Sequence, residues 1–163
     1  MGYTTDFMGS ISVEPPLNES EISFLQDLSQ TRRMGRVKGP LYVGGETAAG
    51  GGYSKDIHDY NEPPEDQPSL WLQWVPTEDG TAIEWDGNEK FYYSEEWMTY
   101  IIDNLFAPSA RDYVSRHHTG DKRLNDFTFN HVFNGSIIAQ GEDPSDRWKL
   151  IVTDNTVTSK ELE

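Results

Sequence analysis

Thr5-Asp6-Phe7-Met8-Gly9-Ser10-Ile11-Ser12-Val13, then Pro15-Pro16, then Leu17-Asn18-Glu19-Ser20-Glu21-Ile22, is the stretch that decides the fold. Phe7, Ile11 and Val13 fall on one side of a period-2 alternation, which predicts a strand with one buried face. The prolines end it. Asn18 is then a helix N-cap with Glu21 at the third helical position, and apolar residues flank the pair, so a capping box and a hydrophobic staple are expected. Ile22, Phe24, Leu25 and Leu28 supply the buried stripe of a helix ending near Thr31-Arg32-Arg33.

From Gly35 to Ser69 the periodicity disappears. Gly39-Pro40, Gly44-Gly45, Gly50-Gly51-Gly52 and Pro63-Pro64 punctuate a long loop, with only Leu41-Tyr42-Val43 readable as a short strand. Leu70 to Val75 and Thr81 to Trp85 read as a hairpin around Pro76-Thr77-Glu78-Asp79-Gly80. Ser94 caps a second helix with a Trp97, Ile101, Ile102, Leu105 stripe, and Pro108 marks its exit. Ser109 to Asp126 is polar and carries the one sizeable basic island. In the last third, Phe127 to Phe133 and Ser136 to Gln140 read as strands around an Asn134-Gly135 turn, and Trp148 to Val152 and Thr156 to Thr158 as strands around Asp154-Asn155. Residues 1–163 are thus expected to form a single α+β domain: a largely antiparallel sheet with two helices packed on one face and a long Gly/Pro-rich loop at about 35–69.

Composition narrows the function. The 163 residues carry 13 Lys+Arg against 28 Asp+Glu, a formal charge of −15, which opposes direct binding to nucleic acid or to an anionic membrane. Zero cysteines remove disulfides, thiolate metal sites and a sulfur nucleophile. No apolar run reaches a membrane-spanning length and the N-terminus lacks signal-peptide character, so a soluble, cytoplasmic protein is expected. Gly45 to Gly50 has the glycine spacing of a phosphate loop, but Gly51-Gly52 stand where Lys and Ser/Thr are required. Asp56-Ile57-His58-Asp59 sends its side chains to opposite sides of an extended chain, and adjacent His117-His118 diverge. No metal and no cofactor is therefore expected. The chain has neither a Gly-x-Ser-x-Gly elbow nor a His-Glu-x-x-His helix, and catalytic residues are not assigned.

Asp59-Tyr60-Asn61-Glu62-Pro63-Pro64, Gln67-Pro68-Ser69-Leu70-Trp71-Leu72-Gln73-Trp74, Glu84-Trp85-Asp86-Gly87 and Glu89-Lys90-Phe91-Tyr92 together resemble a family of uncharacterised bacterial and phage proteins. The resemblance covers most of the chain. It implies a phage or bacterial accessory setting and no particular chemistry.

Rings and cations supply the candidate site. Trp71, Trp74 and Tyr92 offer stacking surfaces, Arg32, Arg33 and Arg36 offer guanidinium forks for phosphate, and a loop beginning at Gly44 and Gly45 is placed to close over a ligand. The favoured reading is a protein that sequesters a nucleotide-like or other small phosphorylated ligand, with a counter-defence role if a phage uses it. Two alternatives stand beside it. One is an acidic inhibitor that mimics nucleic acid and occupies a host protein that handles it. The other is a small hydrolase, with catalysis ranked below binding. An aromatic hairpin left uncovered by a helix would serve as a homo-oligomer surface.

Overall fold

The computed structural model describes residues 2–44 and 55–162. Strand β1 (Thr5–Glu14) alternates as read, burying Phe7, Ile11 and Val13. Helix α1 (Glu19–Gln30) begins with the full capping box: Glu21 N donates to the Asn18 side chain at 2.9 Å, and Asn18 N donates to Glu21 Oε1 at 2.9 Å. Two short strands, β2 (Gly35–Arg36) and β3 (Ile57–Asp59), pair outside the main sheet. The hairpin β4 (Trp74–Pro76) and β5 (Ala82–Trp85) follows, then α2 (Ser94–Ile101), a π-helical turn over Ile102–Phe106 and α3 (Arg111–Arg116). Strands β6 (Val132–Gly141), β7 (Arg147–Thr153) and β8 (Thr156–Glu161) close the fold.

The main sheet has six antiparallel strands in the order β4-β5-β1-β6-β7-β8. The fold is therefore α+β, as expected, with the first strand of the chain at the centre of the sheet. One face of the sheet is covered. Phe7, Ile11, Ile83, Phe133, Ile137, Leu150 and Val152 meet Phe24, Leu25, Leu28, Trp97, Ile101, Leu105 and Phe106 in one apolar core.

Several local expectations are corrected. Three α-helices form rather than two, because Tyr113 and Val114 give the polar segment after Pro108 a buried edge. Leu41 to Val43 is not a strand, and the hairpin begins at Trp74 rather than Leu70. Tyr93, in the left-handed region, takes the N-cap position of α2, with no side-chain capping bond. Asn134-Gly135 is not a turn but the interior of β6, and 127–131 are not a strand. At Gly135, φ is 146° and a Cβ would stand 2.9 Å from the Ser10 carbonyl oxygen, so the glycine lets β6 approach β1 closely. The tight turn lies at Asp154 and Asn155, whose φ values of 44° and 71° suit a two-residue hairpin connection.

Candidate functional site

The chain leaves α1 through Arg33, whose backbone N–H donates to the Leu70 carbonyl at 2.7 Å, and this bond holds the 63–73 segment against the helix exit. Gln67 is buried in that segment and donates through Nε2 to Pro40 O at 2.7 Å and to Tyr100 Oη at 3.0 Å. Ser69 Oγ accepts from Trp97 Nε1 at 2.7 Å. Opposite runs 88–93, fixed by Phe91, a buried plug packed edge-on against Trp74 and Phe7 with centroids 5.0 and 5.8 Å away. Gln73 ties the two segments together, donating to Glu89 O at 3.2 Å and accepting from Trp85 Nε1 at 3.3 Å.

Between them lies a cleft of about 540 Å³ walled by Trp71, Tyr92, Tyr93, Pro63, Pro68, Leu70 and the Lys90 and Glu89 side. Trp71 is half-buried, while Tyr92 and Tyr93 are 47% and 59% exposed, so ring faces are offered to solvent and not consumed by the core. Trp71 and Gln73 also wall a second recess of about 530 Å³ beside Ser29, Gln30, Asp86 and Asn88. The rim is strained: Lys90 and Tyr93 both have φ of 60°, a left-handed conformation that side chains other than glycine adopt at a cost. Lys90 is the one cation lining the first cleft among the described residues.

Of the residues singled out from the sequence, Trp71 and Tyr92 are brought together here. The others are not, and the reasons are physical. Trp74 is fully buried and donates its indole N–H to Ser94 O at 2.8 Å, which makes it core and not a stacking surface. Arg33 is fully buried: Nε donates to Gln67 Oε1 at 3.3 Å, and Nη2 to the Pro40 and Tyr42 carbonyls at 3.1 and 2.6 Å. Burial brings its pKa down to about 10, still charged at neutral pH, with neutral acceptors clasped where a phosphate was expected. Arg36 is buried beside Asp56 at 4.0 Å, its guanidinium 5.2 Å from the Tyr42 ring centroid. Arg32 donates through Nε to Tyr60 O at 3.2 Å. The Gly44 amide donates to Thr31 Oγ1 at 2.9 Å, which occupies its N–H, and Gly45, with most of the glycine loop, lies outside the described residues.

Lys90, Tyr93, Pro63 and Pro68 were not assigned from the sequence. The Phe91-Tyr92-Tyr93 run carried a signal, since one buried ring beside two exposed ones marks a segment pinned at a single point, but nothing local marks Lys90. Among the described residues no group of three or more His, Asp or Glu side chains is arranged to hold a metal, and no helix is long and apolar enough to cross a membrane. No family model, curated protein or solved structure matches the chain.

Proposed function

We propose that this chain binds a small ligand bearing a flat ring, nucleotide-like in class, in the Trp71–Tyr92 cleft, and that it holds the ligand without transforming it. The supporting observation is that an indole and a phenol ring, neither spent on the core, wall one cleft of about 540 Å³, a size within the ordinary range of small-molecule sites. Ring stacking supplies affinity that tolerates the base's identity, on the order of 1–3 kcal/mol per stacked ring. With Arg33 and Arg36 engaged elsewhere, Lys90 is left to meet charge. The favoured ligand therefore carries one phosphate or none, since a triphosphate beside a −15 molecule and one ammonium would be repelled. Sequestration of such a signal suits a phage or bacterial accessory protein.

A thermal-shift and calorimetric screen with nucleosides, cyclic nucleotides and linear mono- and triphosphates tests this reading. A ligand at one hundred times its dissociation constant stabilises the fold by about 2.7 kcal/mol. Monophosphates or nucleosides should exceed triphosphates, and Trp71→Ala and Tyr92→Ala should abolish the shift. Silence across the whole panel defeats the proposal. The second reading, an acidic inhibitor of a nucleic-acid-handling host protein, draws its support from the −15 charge, and salt-sensitive inhibition of such an enzyme by an otherwise silent protein would favour it.

A further inference from the structure

The helices cover only one face of the six-stranded sheet. On the other, register places Met8, Ile138, Lys149 and Lys160 in one row across β1, β6, β7 and β8. Ser10, Ser136, Ile151 and Thr158 form the next row, and Asp6, Gln140 and Arg147 the row on the other side. None of Met8, Ile138 or Ile151 belongs to the core, and Met8 is 52% exposed. Ile138 and Ile151 are half-buried among their strand neighbours.

Charge on this face is divided. Strands β1 and β5 carry exposed Asp6, Glu14 and Glu84, whereas β7 and β8 carry Arg147, Lys149 and Lys160. Lys149 and Lys160 are direct cross-strand partners, an arrangement that costs stability in isolation. Among the described residues none of these three cations has a carboxylate within ion-pair distance, in a chain with fifteen more acids than bases. Asp143, Asp146 and Asp154 sit in the turns at the strand ends, not on the face.

We infer that the bare face is a self-association surface and that its occupant is a second copy of this chain. The division of charge carries the inference. A two-fold axis lying in the face along the β1–β6 boundary lays β4, β5 and β1 of one protomer over β8, β7 and β6 of the other. The acidic half of each then meets the basic half of its partner, twice, with Met8 and Ile138 at the centre. Ser10, Ser12 and Ser136 are small enough for two sheets to approach to about 10 Å, the spacing of a β-sandwich. With about 3.3 Å of rise per residue and 4.8 Å between strands, the six strands cover roughly 600 Å², near the ~800 Å² per partner of a standard interface. This surface is separate from the Trp71 cleft, and the inference stands whether or not that cleft binds a nucleotide.

Sedimentation equilibrium of the full chain tests it. The expected result is a mass twice that of the monomer, falling towards the monomer as salt rises. Ile138→Asp should give monomer at all salt concentrations. Lys149→Glu with Lys160→Glu should do the same, as should Asp6→Lys with Glu84→Lys, the fold of every variant being checked by circular dichroism. Mixing the two charge-reversed variants should restore a dimer containing one of each, a result that simple destabilisation cannot produce. Monomeric wild type from micromolar to millimolar concentration overturns the inference. So does a dimer indifferent to these substitutions, or a monomer that binds a single-stranded oligonucleotide through Lys149 and Lys160.

Discussion

His131 Nε2 lies 2.8 Å from Glu21 Oε2, and neither side chain is more than 1% exposed. The other ring nitrogen, Nδ1, is 2.6 Å from the Pro15 carbonyl. Both nitrogens thus face acceptors, an arrangement that favours the imidazolium, which can donate on both sides and join the N-terminus of α1 to the approach of β6. Burial works against the charged ring, but the Glu21 carboxylate and the Pro15 carbonyl outweigh it and raise its pKa above the ordinary 6.5.

A raised histidine pKa stabilises the fold fully below about pH 6.5 and withdraws that stability as pH rises through the folded value. Chemical denaturation followed from pH 6 to pH 9 should therefore show stability falling as the solution becomes alkaline. Glu21→Gln should flatten this slope. His131→Ala, which leaves the Glu21 carboxylate buried without a cationic partner, should cost about 3–5 kcal/mol at neutral pH. A stability that rises with pH over this window would contradict the assignment.

Trp71 and Trp74 should separate function from stability. Trp74→Ala empties a fully buried site and should cost about 3–5 kcal/mol. Trp71→Ala should cost about 1 kcal/mol in stability while removing ligand binding. Urea denaturation and calorimetry on the two variants decide the matter. Equal losses of stability would show that Trp71 is interior packing.

Arg33 and Arg32 are neighbours with opposite expected behaviour. Arg33→Ala strips donors from Gln67 and from the carbonyls of Pro40 and Tyr42, and should destabilise by about 3 kcal/mol or more. Arg32→Ala loses one bond to the Tyr60 carbonyl and should cost about 1 kcal/mol, with nucleotide binding intact. Ligand binding lost in folded Arg32→Ala would return the guanidinium to the site.

Lys90 gives a third contrast. Its φ of 60° suits glycine, so Lys90→Gly should stabilise the fold by about 1 kcal/mol. The same change removes the cleft's cation and should weaken binding of a nucleoside monophosphate more than that of the nucleoside. Thermal unfolding and paired titrations read the two effects separately.

What the amino-acid order determined by itself is local. The β1 alternation, the Asn18–Glu21 box, the two long helices and the antiparallel α+β class follow from periodicities and hydrogen bonds that close within a few residues. Trp71 and Trp74 were both read as stacking surfaces, although their odd spacing along an extended chain turns the two side chains to opposite sides and carried the signal that separates them. Tertiary structure decided the rest. Asn134-Gly135 carries a hairpin signature, yet its glycine serves the approach of β6 to β1, more than a hundred residues earlier in the chain. Arg33 has the same chemistry as Arg32, but the carbonyls and amide that claim it belong to Pro40, Tyr42 and Gln67, which only the folded chain brings to one point. A side chain's type announces which bonds it can make; whether solvent or a distant carbonyl makes them is settled when the core closes.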